Sequence, residues 1–354
     1  MLPCCFSEEL TIQCRKSVGT INGEDIQKME DKMLTVSIAA YNVADYLEEC
    51  LASLASCQNR KLLEVLVIDD GSSDQTAEIA EEFCRRDPDV FRLVKKMNGG
   101  WGSTLNTSIP MAKGKYFRQL DGDDKFDTGM LNTFLERLEK DDSDLVLTPH
   151  EVFISGTKNY QPAPDTITGK AEREDFRCFP GNAHLPMHAC TFRTALLQSE
   201  QVHLLEHCFY TDVEFVLQSI REVQTVAIYE LPIYRYRLAR EGQSVSRAGY
   251  QKHRLDLIRV AKSMIDTYQN EDFYNRTAAR TRIADHINAI YANLDVFSKV
   301  ELQDFDTWLK NSGPEFYQMN QLRIVMMLRK TNFGLWHLAV SLTRLLHKAH
   351  GEQH

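Results

Sequence analysis

Three aspartates crowd into one short segment in the first half of the chain. Asp121, Asp123 and Asp124 surround Gly122 directly after the apolar run 115–120. Carboxylates a few ångströms apart repel one another, and this repulsion raises their pKa values unless a cation lies between them. Mg²⁺ and Mn²⁺ accept carboxylate oxygens as ligands and keep further positions for water or phosphate. The segment therefore predicts either a divalent metal site or, because Asp and Gly also favour turns, an ordinary surface turn.

Composition and charge narrow the class of protein. The chain has 354 residues, 43% of them hydrophobic, which is enough for one large or two moderate domains. Its net charge of -9 argues against binding of nucleic acid. The nine cysteines are an odd number without a C-x-x-C pair, which favours a reducing compartment. No apolar stretch reaches the roughly 18 residues that cross a bilayer, and the N-terminus lacks a signal-peptide core, so we expect a cytoplasmic protein.

Strand-like and helix-like patterns alternate from residue 34 onward. The predicted strands are 34–38, 64–69, 91–96, 115–120 and 144–154, and the predicted helices are 45–57, 75–86, 103–112 and 130–140. Beyond residue 250 the pattern is helical, with predicted helices at 253–267 and 275–297. Repeated β-α units indicate an α/β fold, with an open, mainly parallel sheet flanked by helices and a C-terminal helical extension.

Polar segments follow four of these predicted strands. They are residues 39–42, 69–74, 98–102 and 121–124. Ligands of open α/β sheets bind outside the carboxyl ends of the strands, so the four segments are expected to converge on one site. This convergence favours the metal site over the surface turn.

The same segments resemble the nucleotide-sugar-binding half of a family 2 glycosyltransferase with the GT-A fold. The resemblance covers residues 34–125 and continues more weakly to about 246. Four motifs carry it: Val36-Ser37-Ile38 with Tyr41-Asn42, Val67 to Asp74, Asn98 through Gly100 to Asn106, and Gly114-Lys115-Tyr116 before Asp121. It implies a GT-A domain over 33–250, with a donor and metal half (34–125) and an acceptor half (126–250). Residues 1–32 would form a loosely ordered extension, and 251–354 a helical region.

The resemblance also assigns a donor-binding set. Tyr41 would stack on the nucleobase, and Asp70 would accept a hydrogen bond from a base N–H, which its neighbouring motifs favour over the alternative of a turn cap at a helix start. Asn106 would belong to the donor site or would equally anchor the nearby loop. Arg237 would contact the donor phosphates, with a place in a solvated basic loop as the alternative. The complete set is Ala39, Tyr41, Asp70, Asn98, Gly99, Gly100, Asn106, Asp121, Gly122 and Arg237.

Metal, base and acceptor residues follow from the same resemblance. Asp123 is predicted to lead a Mn²⁺ or Mg²⁺ site, assisted by Asp121 and Asp124, that stabilises charge on the leaving diphosphate. Asp212 is the predicted catalytic base, with a carboxylate that merely favours a helix start as the alternative. Trp101 and His188 are the candidate acceptor contacts. The alternative for Trp101 is packing against its own scaffold, and the alternative for His188 is a purely structural histidine. Tyr234 to Arg237, with Ser244 and Ser246, resemble the loop that closes over the donor phosphates.

The implied activity is metal-dependent, inverting transfer of a sugar from a nucleoside diphosphate, UDP favoured, to a hydroxyl of a glycan or lipid-linked glycan. Cell-surface polysaccharide synthesis is the expected setting. A sugar nucleotidyltransferase is one alternative, but residues 39–42 are not the Gly-rich basic loop that such an enzyme needs. A nucleotide-sugar-binding protein without catalysis is the other, and the presence of Asp212 argues against it.

The C-terminal segment 321–354 differs in charge from the rest of the chain. It holds five Lys or Arg residues and one acidic residue, together with an apolar face. This pattern fits peripheral contact with the inner face of a membrane, and it fits equally well a helix that packs against the core or a second subunit.

Overall fold

The computed structural model describes residues 32–157, 159–180, 184–238 and 246–351. The predicted extension 1–32 therefore lies outside the described residues except for Lys32, and so does Ser244. The strands are β1 (Leu34–Ala40), β2 (Leu63–Asp69), β3 (Phe91–Lys95), β4 (Tyr116–Asp121), β5 (Lys125–Phe126), β6 (Leu145–Leu147), β7 (His150–Ile154), β8 (Gln161–Pro162), β9 (Ala171–Asp175), β10 (Cys190–Arg193), β11 (Thr225–Ile228) and β12 (Tyr234–Leu238).

Helices connect and follow these strands. They are α1 (Ala44–Ala55), α2 (Thr76–Arg86), α3 (Trp101–Ser108), α4 (Thr128–Leu138), α5 (Thr194–Ser199), α6 (Thr211–Ser219), α7 (Arg247–Asn270), α8 (Arg276–Ala292), α9 (Lys299–Ser312), α10 (Pro314–Met319), α11 (Arg323–Lys330) and α12 (Trp336–Gly351). Short 3-10 helices occur at Arg60–Leu62, Ile109–Met111, Phe176–Cys178, Met187–Ala189 and Leu294–Val296.

Two sheets form from these strands. The larger has the order β3-β2-β1-β4-β10-β6-β11-β9, and the smaller the order β5-β12-β7-β8. In the larger sheet β1 pairs in parallel with both β2 and β4, while β10 and β9 run antiparallel to their neighbours. Every residue of β2 is buried, as expected for a parallel strand with helices on both faces. The predicted mainly parallel α/β fold with a helical C-terminal region is confirmed.

One predicted strand is wrong in its extent. Residues 144–154 form β6 and β7, which belong to different sheets, instead of one continuous strand. Pro149 lies between them, and its missing N–H cannot donate to a strand ladder. The break moves the chain from the large sheet to the small one.

The helical region shares a hydrophobic core with the later part of the α/β region. This core joins Leu105 of α3 and Phe215 of α6 to Ile287 of α8 and Trp336 of α12. The C-terminal segment therefore packs on the core through one face. Among its described residues, six leucines are exposed: Leu322, Leu335, Leu338, Leu342, Leu345 and Leu346. Within the described part of the chain, no helix has the length and apolar character needed to span a bilayer.

The register of the large sheet brings the polar segments to one edge. Ala39 on β1 lies beside Asp121 on β4, and Ala40 lies beside Asp69 on β2. The Gly122 amide donates to the carbonyl oxygen of Ala39 at 3.0 Å, which ties the acidic turn to the end of β1. The strand ends thus hold residues 39–42, 69–74 and 121–124 side by side.

We expect Gly102→Ala to destabilise the fold. A Cβ at Gly102 on α3 would lie 2.4 Å from the carbonyl oxygen of Leu205, a backbone atom that cannot move without its segment. The free energy of unfolding, measured by urea denaturation, should fall by about 1–3 kcal/mol. Gly129→Ala is the matched control, because its Cβ would make an ordinary 3.4 Å contact with Asp127. Equal urea midpoints for Gly102→Ala and the wild type would contradict this close packing.

Candidate active site

Asp121 ends β4 at the centre of the candidate site. Its Oδ1 accepts hydrogen bonds from Trp101 Nε1 at 2.8 Å and from Gln119 Nε2 at 2.5 Å. No residue that the structure describes donates to its Oδ2. Burial, and then the charge of Asp123, raise the pKa of Asp121 to about 7. One carboxylate oxygen therefore stays available to a ligand in a crowded acidic environment.

Asp124 is the most buried acid of the turn. Its carboxylate accepts from the Tyr234 hydroxyl at 2.6 Å and from the Arg237 amide at 2.7 Å. Burial, together with the charges of Asp123 and Asp121, holds the pKa of Asp124 well above its ordinary value. The charge crowding that the sequence predicted is thus present in the fold, and a cation would relieve it.

Arg237 lies beneath the acidic turn instead of in a solvated loop, so that alternative is wrong. The side chain of Arg237 is 4% exposed. Its Nε donates to the Asp123 carbonyl oxygen at 2.6 Å, and its two terminal nitrogens donate to Ser155 at 2.8 Å and Glu49 at 2.6 Å. These contacts give Arg237 a scaffold role that fixes the turn. The predicted contact with donor phosphate stays a prediction.

His188 meets the same acids from a different part of the chain. One ligand atom each from Asp121, Asp124 and His188 lie within 4.8 Å of one another, and Asp123 is not in this group. His188 Nδ1 is buried without a hydrogen-bond partner in the described structure. Burial lowers the pKa of His188 to about 3, so the ring is neutral and keeps a lone pair. Sequence reasoning placed His188 with the acceptor and missed its closeness to Asp124.

Asp70 holds the loop that follows β3. Its buried carboxylate accepts from the amides of Gly99 at 2.9 Å and Gly100 at 2.8 Å, and it pairs with Lys96 at 2.7 Å. The Asn98 side chain donates to the Asp70 carbonyl oxygen at 3.0 Å. Both carboxylate oxygens of Asp70 are thus engaged with the protein, and the predicted contact with a nucleobase stays a prediction.

Trp101 and Asn106 also contact the scaffold. The Trp101 ring packs edge-on against Phe215, with 6.2 Å between ring centroids, while its N–H donates to Asp121. The Asn106 amide group donates to the Leu204 carbonyl at 3.0 Å and accepts from the Leu204 amide at 2.8 Å. Trp101 therefore orients an acid of the site, and Asn106 anchors the segment before α6.

Tyr41 is open to solvent beside this site. It follows β1 and is 52% exposed, and the next residue, Asn42, has a left-handed backbone with φ of 50°. The Asn42 side chain accepts from the Ser73 amide at 2.9 Å, which joins the loops after β1 and β2. The Tyr41 ring is free to receive a flat ligand.

Asp212 is the second residue of α6, which begins at Thr211. Its charge contributes to the raised pKa of Asp121, so the two carboxylates lie within electrostatic range. Burial raises the pKa of Asp212 itself, and the charge of Arg282 opposes that rise. Burial therefore outweighs the helix dipole, which alone would lower this pKa. A carboxylate with a raised pKa is a stronger base, as the predicted role requires.

Comparison with known proteins relates this part of the chain to a glycosyltransferase family. Residues 35–199 match the family described as glycosyl transferase family 2. The uncharacterized glycosyltransferase EpsJ of Bacillus subtilis is 28% identical over 220 residues, covering 58% of this chain and 61% of that relative. The chain thus matches about three fifths of the length of this curated relative.

Solved structures support the GT-A fold. S. aureus TarS 1-349, solved with UDP-GlcNAc, has a TM-score of 0.63 at 18% identity, covering 85% of this chain and 92% of that one. The mannosyltransferase PcManGT from Pyrobaculum calidifontis, solved with GDP-Man and Mn2+, has a TM-score of 0.51 at 16% identity, covering 88% and 86%. At these identities the likeness shows the fold alone.

We expect Arg237→Met to lower the free energy of unfolding by about 1–3 kcal/mol, because it leaves the Asp123 carbonyl oxygen of the acidic turn without its side-chain donor. The measurement is urea denaturation. Arg235→Met is the matched control on the same strand. Arg235 pairs with Asp127 and Glu151 instead of the acidic turn, and its side chain is 20% exposed against 4% for Arg237, so its loss should cost less stability than the loss of Arg237. Wild-type stability of Arg237→Met together with weakened donor binding would contradict the scaffold role and support the phosphate contact.

Proposed function

We propose that this protein is an inverting glycosyltransferase that moves a sugar from a nucleoside diphosphate to a hydroxyl of a glycan or lipid-linked glycan. The observation that carries the proposal is the closeness of Asp121 and Asp124 at the carboxyl edge of the sheet in the part of the chain that matches family 2, with Asp212 within electrostatic range of Asp121. UDP is the favoured nucleotide, with GDP as the alternative that the second solved neighbour suggests. Cell-surface polysaccharide synthesis in the cytoplasm is the proposed setting.

The residues present fit a divalent cation. Asp121 Oδ2 accepts no hydrogen bond from the described residues, and His188 Nδ1 is a buried nitrogen without a partner there. Asp123 adds charge beside Asp121 and Asp124 and is the ligand predicted to lead the site. A bound Mn²⁺ or Mg²⁺ would supply stabilisation of the negative charge on the leaving diphosphate.

The protein's own side chains perform the remaining steps. Asp212 accepts the proton of the acceptor hydroxyl as that oxygen forms a bond to the anomeric carbon of the donor sugar. The bond from the anomeric carbon to the diphosphate breaks on the opposite face, and the electron pair leaves with the nucleoside diphosphate. Tyr41 would stack on the base. The amides of Gly99 and Gly100 donate to Asp70, which holds their loop at the N-terminus of α3.

We expect Asp212→Asn to lower the turnover number by about 10²–10⁴-fold while donor affinity stays near the wild-type value, because only the proton acceptor is lost. The assay detects released nucleoside diphosphate across UDP- and GDP-sugars with Mn²⁺ and with Mg²⁺. Donor affinity is measured by calorimetry.

Glu214→Gln is the control for this variant. Glu214 is a buried acid on the same helix that accepts from the Leu205 amide at 3.1 Å, and its neutralisation should leave turnover high. Near-normal turnover by Asp212→Asn would assign the base to another residue. Donor binding without turnover by the wild-type protein would instead identify a binding protein without catalysis.

We also propose that the exposed leucines of the C-terminal segment contact an anionic membrane that carries the acceptor. The supporting observation is their position on one face of α12, beside the exposed Arg344. The inner face of the same segment, including Val325 and Trp336, is buried in the core. Deletion of the segment would therefore expose the core, so single-face substitutions are the better test.

Binding to anionic vesicles should fall by about tenfold or more when Leu338, Leu342 and Leu345 are changed to Ser, because each removes apolar area from the interface. Co-sedimentation with vesicles of neutral and anionic lipid measures this. The control changes Ile154 and Val300 to Ser, since both are exposed apolar side chains far from α12 in sequence. Unchanged vesicle binding by the leucine variant would exclude membrane contact through this face and favour a subunit contact.

A further inference from the structure

The backbone at His188 is held by the same strand that ends in the acidic turn. Arg118 on β4 is fully buried, and one of its terminal nitrogens donates to the His188 carbonyl oxygen. The terminal nitrogens of Arg118 also donate to the Thr191 hydroxyl at 2.7 Å and to the Thr148 hydroxyl at 3.1 Å. Because Arg118 precedes Asp121 by three residues on one strand, the position of His188 is fixed relative to that carboxylate.

The His188 ring is fixed on three sides by other rings. It stacks on His150 with 5.1 Å between centroids, and it contacts Tyr234 and Tyr236 at 4.8 Å each. Tyr234 in turn donates its hydroxyl hydrogen to Asp124 at 2.6 Å. The ring is thus oriented without a hydrogen bond to its buried Nδ1. An oriented imidazole whose buried Nδ1 lacks a partner in the described structure suits a metal ligand.

We infer that His188 is a nitrogen ligand of the divalent cation held by the acidic turn, and that the site consequently selects Mn²⁺ over Mg²⁺. The inference deepens the proposed function and rests on its metal dependence. Mg²⁺ takes oxygen ligands and keeps much of its water, whereas an imidazole nitrogen strengthens binding of a transition-metal ion. A mixed set of carboxylate oxygens and one nitrogen therefore discriminates between the two ions.

The test measures metal binding directly. Pulsed EPR of Mn²⁺ bound to the wild-type protein should show coupling to a nitrogen nucleus, and His188→Phe should abolish that coupling. Calorimetry should show that His188→Phe binds Mn²⁺ at least about tenfold more weakly than the wild type. Loss of a residue that only orients a metal ligand already lowers metal affinity by about this factor, and loss of the ligand itself should lower it at least as much. Mg²⁺ affinity should change by less than about threefold, because Mg²⁺ can replace the nitrogen with water.

The control variant is His150→Phe. It makes the same substitution in the ring that stacks on His188. The Nε2 atom of His150 lies 3.3 Å from Asp165 and not at the acidic turn. Its bound Mn²⁺ should keep the nitrogen coupling. Absence of nitrogen coupling in the wild-type protein overturns the inference even if His188→Phe does not fold. Failure of the wild-type protein to bind Mn²⁺ at all refutes the metal dependence of the proposed function, while Mn²⁺ binding through oxygen alone refutes only the role of His188.

Discussion

The crowding of Asp121 and Asp124 beside Asp123 is the constraint on which the candidate site depends. Burial raises the pKa of both flanking acids, and the charge of Asp123 raises them further. Hydrogen bonds from Trp101, Gln119, Tyr234 and the Arg237 amide offset part of this cost. They leave one oxygen of Asp121 without a donor among the described residues. A protein that ionises these acids near neutral pH therefore needs a cation at the turn.

The donors to these acids come from elements far apart in the chain. Trp101 begins α3, Gln119 lies on β4 of the large sheet, and Tyr234 and Arg237 lie on β12 of the small sheet. The acidic turn connects β4 to β5, which pairs with β12. The site thus lies where the two sheets meet. Movement of either sheet would change the hydrogen bonds that stabilise the buried carboxylates of Asp121 and Asp124.

Local patterns predicted the fold and the convergence of the polar strand ends, but not the partner of each side chain. Alternating apolar residues and polar strand ends were sufficient for the parallel sheet, since both depend on short-range periodicity. Residues 144–154 form two strands because the chain passes from the large sheet to the small sheet at Pro149. The contacts of Asn106 with Leu204 and of Arg237 with Glu49 join residues about a hundred or more positions apart, as no local pattern can show.

Asp212, the proposed base, and the acidic turn are coupled by charge. Asp212 raises the pKa of Asp121, so ionisation of each disfavours ionisation of the other. A cation at the turn reverses this relation, because its charge favours the ionised form of both carboxylates. By reciprocity, an ionised Asp212 favours binding of the cation. Ionisation of Asp212, which a proton acceptor requires, and binding of a cation at the turn would therefore favour each other.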